Sequence, residues 1–200
     1  MEATLVSPAV GSWAKEDMYE YTLVVHPDYE ANKKIIEEKH NFYDQYLHQP
    51  VNRQKAHITL ASFSAKEEME NTISRYLERI CNQQQAFTVT LNNYSGFPPN
   101  SIFLRVQDRA PFKQLVKEFK AIDDYVSACS CPSVRFTENP HVSITNKIPE
   151  PVYLKAMMDY SSRTFHQSFM VNELMLFKRI KYSGESKCTN VFRLKPNTVN

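Results

Sequence analysis

Glycine is the scarcest structural signal in this chain, with three in 200 residues against eleven prolines. Gly11, Gly96 and Gly184 stand far apart, so they build neither a glycine-rich phosphate loop nor a dinucleotide fingerprint. That removes the commonest nucleotide-hydrolysing and redox folds. Cysteine is scarce as well: Cys81, Cys129, Cys131 and Cys188 are the whole set. So few thiols read as reduced cysteines of a cytoplasmic protein rather than as a disulfide framework. The Cys129-Ser130-Cys131 spacing differs from the usual zinc pattern. No charge dominates, because 24 Lys and Arg face 22 Asp and Glu, a formal net charge of +2. That balance does not suit a protein that coats duplex nucleic acid by charge alone, although a local basic groove is compatible with it. No apolar run is long enough to span a membrane, and no basic stretch leads into an apolar one at the N-terminus. Neither a membrane span nor a signal peptide is therefore expected.

What is present is ordinary globular material, with 42% hydrophobic and 23% charged residues. The length suits one domain with a real core. Residues 1–17 have no clear period and read as a flexible N-terminal arm, with Trp13 available to dock. Residues 18–196 read as a single bilobal domain. The alternation of Tyr19, Tyr21, Val24 and Val25 predicts a strand over 18–25. Asp28 is placed to cap a helix over 29–47, whose run Lys33-Lys34 to Glu37-Glu38-Lys39 reads as solvated charge. A strand follows over 55–63, then a helix over 65–84 capped by Ser64. A hairpin follows, with strands 87–94 and 101–106. The order then recurs. Pro111 opens a helix through 128. A loop over 129–140 leads to a strand over 141–146 and a helix over 150–160. Two last strands span 169–182 and 187–195. Each half thus reads as helix, short strand beginning with histidine, helix, hairpin. Such a repeat implies an α+β fold of two antiparallel-sheet lobes with outer helices, related by a pseudo-two-fold axis. A central cleft on that axis is a natural ligand site.

The informative residues open the two short strands: His57-Ile58-Thr59-Leu60 and, 84 residues on, His141-Val142-Ser143-Ile144. Each is histidine, β-branched apolar, hydroxyl, apolar. In a strand, residues two apart share a face at about 7 Å. His57 and Thr59 therefore face one way while Ile58 and Leu60 face a core, and His141 and Ser143 repeat the arrangement. Two imidazoles that titrate near neutrality supply a base and an acid at the same pH. Two hydroxyls supply neutral donors for the non-bridging oxygens of a phosphodiester. No carboxylate joins either strand at the phase a metal cage needs. One histidine in a strand is most often structural. Two matched tetrapeptides at equivalent places in a repeated order are not an ordinary coincidence.

On these residues the chain resembles the 2H phosphoesterase superfamily, which includes 2′-5′ RNA ligase-like proteins and cyclic phosphodiesterases. Its mark is one such tetrapeptide per lobe, and both are intact across roughly residues 18–196. The resemblance implies a bilobal fold with the motifs in a central cleft and metal-independent chemistry on RNA ends or 2′,3′-cyclic phosphates. It makes His57 and His141 the acid/base pair and Thr59 and Ser143 the phosphate binders, without saying which histidine is the base. The expected function is a phosphodiesterase acting on 2′,3′-cyclic phosphates or 2′-5′ linkages. The alternatives are a 2′-5′ RNA ligase-type reaction, a nucleotide- or RNA-binding module without turnover, and a metallohydrolase that recruits a further ligand. A nucleotide or RNA end is the expected partner. No cofactor, membrane or obligate protein partner is implied, and a monomer is expected because the lobes complete each other.

Among the remaining residues, Phe97, Phe63 and Tyr182 are candidates for stacking on a base. Phe97 is placed at a hairpin tip, Phe63 on the face of His57 if its strand persists, and Tyr182 near the second hairpin turn. Lys178, Arg179, Lys181, Arg193 and Lys195, with Arg105 and Arg109, form either a phosphate-tracking edge or a charged sheet edge that deters aggregation. His26, His40, His48 and His166 read as surface or internally satisfied histidines.

Overall fold

The computed structural model describes residues 18–48, 55–179 and 184–197. The N-terminal arm with Trp13, and Lys181 and Tyr182, lie outside the described residues.

Two antiparallel sheets divide the strands. The first lobe is built on β1 (Met18–Val25) and β2 (Ile58–Lys66), and the second receives β3 (Phe87–Phe97) and β4 (Ser101–Val106). They are followed by β5 (Arg135–Phe136), β6 (His141–Thr145), β7 (His166–Val171), β8 (Glu173–Arg179) and β9 (Ser186–Arg193). The five-stranded sheet runs β5-β2-β1-β8-β9, and the four-stranded sheet runs β6-β4-β3-β7. The helices are α1 (Tyr29–Tyr46), α2 (Glu70–Cys81), α3 (Ala110–Ala128) and α4 (Glu150–Tyr160).

Local signals place most of these elements. Tyr21, Leu23 and Val25 alternate into the core of the first sheet. Asp28 caps α1, its Oδ1 accepting the Ala31 N–H at 2.8 Å. Pro111 sits in the first turn of α3, whose stripe of Phe112, Leu115, Phe119, Ile122 and Val126 is buried. Other expectations are corrected. Ser64 caps no helix: β2 continues to Lys66, and Ser64 pairs with Glu20 of β1. The alternation of buried Phe63 and Ala65 with half-buried Ser62 and Ser64 carries the strand past it. A short 3-10 turn, Glu67–Met69, then precedes α2, which ends at Cys81. The single strand expected over 169–182 is two strands parted at Asn172 that join different sheets, and β5 lies inside the segment expected as loop.

The largest correction concerns the hairpins. The hairpin β3–β4, which follows the His57 strand in sequence, joins the sheet of the His141 strand β6. The hairpin β8–β9, which follows the His141 strand, joins the sheet of β1 and β2. Each lobe is therefore completed by the other half of the chain. At the crossover the Ala86 N–H donates to the Lys195 carbonyl at 2.7 Å, and the Lys195 N–H donates to the Gln84 carbonyl at 2.8 Å.

Candidate active site

The paired tetrapeptides sit on the same backbone device. In β2, Thr59 pairs with Val24 and Ala61 with Leu23, so Leu60 is an extra residue in the ladder. In β6, Ser143 pairs with Phe103 and Thr145 with Ile102, so Ile144 is extra. Each motif ends in a β-bulge at its fourth residue, and two consecutive residues, Leu60 with Ala61 and Ile144 with Thr145, turn into the core. Ile58 and Val142 are fully buried, which holds the residues either side of them on the opposite face. Thr59, His141 and Ser143 are half-buried there, and His57 keeps an exposed edge.

The bulge also decides Phe63. Beyond it the period of β2 is reset by one residue. Phe63 pairs with Tyr21 on the core face and stacks on its ring at 5.3 Å. It is a core residue and does not share the face of His57.

Both imidazoles are oriented in the same way. His57 Nδ1 lies 3.2 Å from the carbonyl of Lys55, and His141 Nδ1 lies 2.7 Å from the carbonyl of Asn139. A carbonyl can only accept, so Nδ1 carries the proton in each ring and Nε2 is left as the basic nitrogen. Asn139 is itself held by Arg109, whose guanidinium donates to its side-chain oxygen. The strands are brought together by β5, which pairs with Ala61 and Ser62. Just beyond it the Thr137 N–H donates to the bulged Leu60 carbonyl at 2.9 Å. A short step in the chain then enters β6, which contacts β2 directly.

The surroundings of the two rings differ. Beside His141 lie Phe103 at 4.7 Å and Phe97 at 5.2 Å between ring centroids, and these two stack on each other at 4.4 Å. Phe97 is the last residue of β3 and is 41% exposed, so its outer face is available to a ligand. Gly96 lets this strand end approach α4: a Cβ there would stand 2.5 Å from Tyr153 Oη. Beside His57 lie His26, at 6.1 Å, and beyond it Phe177, at 5.8 Å from His26. A groove of about 540 Å³ runs from His57 over one face of the paired strands β1 and β8, past Thr22, Val24, His26 and Phe177 to Arg179. Although His57 is exposed, partial loss of water around its ring lowers its pKa. The Lys55 carbonyl offsets part of this, and His26, Lys39 and His141 lower it further. Lys39 is itself half-buried with its pKa lowered by burial, a correction to the expectation of solvated charge.

The basic candidates divide. Lys178 bonds Glu67 at 2.6 Å and Glu70 at 3.0 Å and covers the Tyr19 ring, which ties β8 to the start of α2. Arg179 pairs with Glu20 at 2.9 Å along the groove. Arg105 stands opposite His141 in the ladder, its Nε donating to the Asn92 carbonyl at 3.2 Å. Sequence reasoning missed His26 as a cleft residue. The signal was its place one residue beyond Val25, whose cross-strand partner is Ile58. Among the described residues, no three His, Cys, Asp or Glu side chains gather as metal ligands, and no helix is long and apolar enough to cross a membrane.

Solved structures of similar fold cover most of the chain. TT0787 of Thermus thermophilus superimposes with a TM-score of 0.70 at 18% identity, covering 89% of this chain and 99% of that one. E. coli LigT complexed with 3′-AMP gives 0.67 at 18% identity, with 88% and 98% covered. E. coli LigT complexed with ATP gives 0.59 at 18% identity, with 89% and 99% covered. No curated protein matches in sequence. The family profile described as the 2′-5′ RNA ligase superfamily matches residues 27–182, a span that holds both tetrapeptides. By that match this chain belongs to the 2′-5′ RNA ligase superfamily of 2H phosphoesterases.

Proposed function

We propose that the protein is a metal-independent phosphodiesterase that opens 2′,3′-cyclic phosphates or cleaves 2′-5′ linkages at a nucleotide or RNA end. Membership of the superfamily supports phosphoesterase activity in general. The observation that carries the finer reading is the matched pair His57 and His141 on neighbouring, contacting segments, each with Nδ1 bonded to a carbonyl and each followed two residues on by a hydroxyl. The lowered pKa of His57 keeps it neutral near pH 7, which suits it to the role of base. In hydrolysis its Nε2 takes a proton from water as the new O–P bond forms. Protonated His141 gives its Nε2 proton to the ribose oxygen that leaves phosphorus. Thr59 and Ser143 donate to the non-bridging oxygens, whose charge grows as the water adds. Phe97 offers a base-stacking face beside His141. In this reading the protein works as a monomer in the cytoplasm and needs no cofactor. A 2′-5′ ligase-type reaction is the same displacement with a 5′-hydroxyl in place of water as the nucleophile, the leaving ribose oxygen again taking a proton.

The test is turnover of the four 2′,3′-cyclic nucleotides in the presence of chelator, with products resolved as 2′- or 3′-monophosphates. Turnover that survives chelation and disappears in His57→Ala and His141→Ala supports the reading. Turnover that persists in both variants, or that requires an added divalent ion, overturns it. Tight nucleotide binding with no product marks a binding module instead.

A further inference from the structure

The two-histidine reading leaves the imidazole beside His57 without a role. His26 lies directly after β1, where the ladder places it across from His57, and the two rings meet edge to face at 70°. On its other side the ring stands edge-on to Phe177. Its Nδ1–H donates to the carbonyl of Ala56 at 2.8 Å. That carbonyl belongs to the peptide unit leading into His57. The N–H of Ala56 is held in turn by Asn32 Oδ1 of α1 at 3.0 Å, and Ala56 is fully buried. Both polar groups of the residue before His57 are therefore pinned, one of them by His26. The equivalent place in the other lobe, opposite His141, belongs to Arg105, which is held by a carbonyl of β3. A titratable ring in this position is thus peculiar to the His57 side.

We propose that His26 is a positioning residue of the site: its Nδ1–H fixes the peptide that carries His57, and its ring sets both the orientation and the local charge in which His57 Nε2 meets substrate. This rests on His57 acting as one of the acid/base pair. Lys55 lines the groove with His26 and His57, and Lys39 of α1 and His141 of β6 add their charges at His57. Farther along the groove lies the Glu20–Arg179 pair. The hollow on the far side of His26 is lined by Asp28, whose carboxylate caps α1, and by Glu173. A proton on His26 opposes a proton on His57 because like charges this close disfavour each other. Removing the ring therefore allows His57 to hold its proton to higher pH.

Two variants separate these contributions. His26→Asn keeps an N–H donor at the place of Nδ1 but removes the titrating ring. His26→Phe keeps a ring edge against His57 but removes the donor and the charge. The measurements are the NMR titration of the His57 ring, kcat and KM across pH, and thermal stability. The expected result is a His57 midpoint raised by roughly half a unit in both variants. In His26→Phe, kcat falls about tenfold with KM unchanged, and His26→Asn recovers most of that loss. An unmoved His57 midpoint in both variants, with only the melting temperature lowered, overturns the proposal by making His26 a structural residue. If His57→Ala proves as active as wild type, the two-histidine reading falls, while the ring titration still decides whether His26 controls His57.

Discussion

The two motif strands have the same backbone and different neighbours. Each has a histidine at its start (His57 immediately before β2, His141 the first residue of β6), a hydroxyl two residues on and a bulge at the fourth residue of the motif, and each imidazole donates Nδ1–H to the carbonyl two residues earlier. Around His141 the cleft wall is aromatic, made by Phe97 and Phe103. Around His57 it is a groove with a second imidazole, His26; a half-buried lysine, Lys39, adds its charge to that of His26 at the His57 ring. Duplication has thus preserved the backbone geometry of the motif, while the residues around each ring have diverged. In an acid/base pair that division is useful, because one ring must be neutral and the other protonated at the same pH.

The comparison is broken most forcefully at the rings themselves. His57→Ala and His141→Ala each lower kcat by about 10²–10⁴, and the double variant is no worse than the poorer single one, since the pair acts as a unit. A much smaller loss in one variant would show that the lobes do not contribute equally. Phe63 and Phe97 test which aromatic belongs to the fold and which to the ligand. Phe63→Ala lowers stability by about 3–5 kcal/mol in denaturant titration. Phe97→Ala leaves stability nearly unchanged and raises KM about tenfold, within the range of one base stack. The hydroxyls come next. Thr59→Val and Ser143→Ala each lower kcat about 100-fold, and Thr59→Ser restores most of the loss, as expected for paired phosphate donors. The smallest effect sharpens the electrostatic difference. Because the His57 pKa is lowered, the acid limb of kcat/KM lies below the ordinary imidazole value of 6.5. Lys39→Met removes one cation that disfavours protonated His57, so the limb moves up by a few tenths of a pH unit.

Elements governed by local signals were legible in the sequence. β1, α1, α3, α4 and β6 lie within a residue or two of the pattern that predicts them, because capping by Asp28, the placement of Pro111 and the apolar stripes act within a few residues. The bulges were not legible, since an extra residue in a ladder exists only relative to the partner strand. That is why Phe63 was misplaced and why His26 looked like an ordinary satisfied histidine. It is indeed satisfied at Nδ1, but the carbonyl it satisfies is the one that carries His57 into the cleft. The break at Asn172 was hidden because both flanking segments are strands, and only their membership of different sheets separates them.

By itself the sequence determined the chemistry on offer: two histidines and two hydroxyls in matched strands, in a chain with no glycine-rich phosphate loop. Strand periodicity alone puts His57 with Thr59 and His141 with Ser143 on one face. Only the tertiary structure decided which hairpin completes which sheet, and so which residues surround each ring. Phe97 and Phe103 reach His141 from the half of the chain that holds His57, and Phe177 reaches the His57 groove from the other half. Closing a longer loop costs only slightly more than closing a shorter one, so order along the chain does not select the partner. Desolvation and neighbouring charge come from residues remote in sequence, and for that reason the ionisation of His57 is a property of the folded cleft.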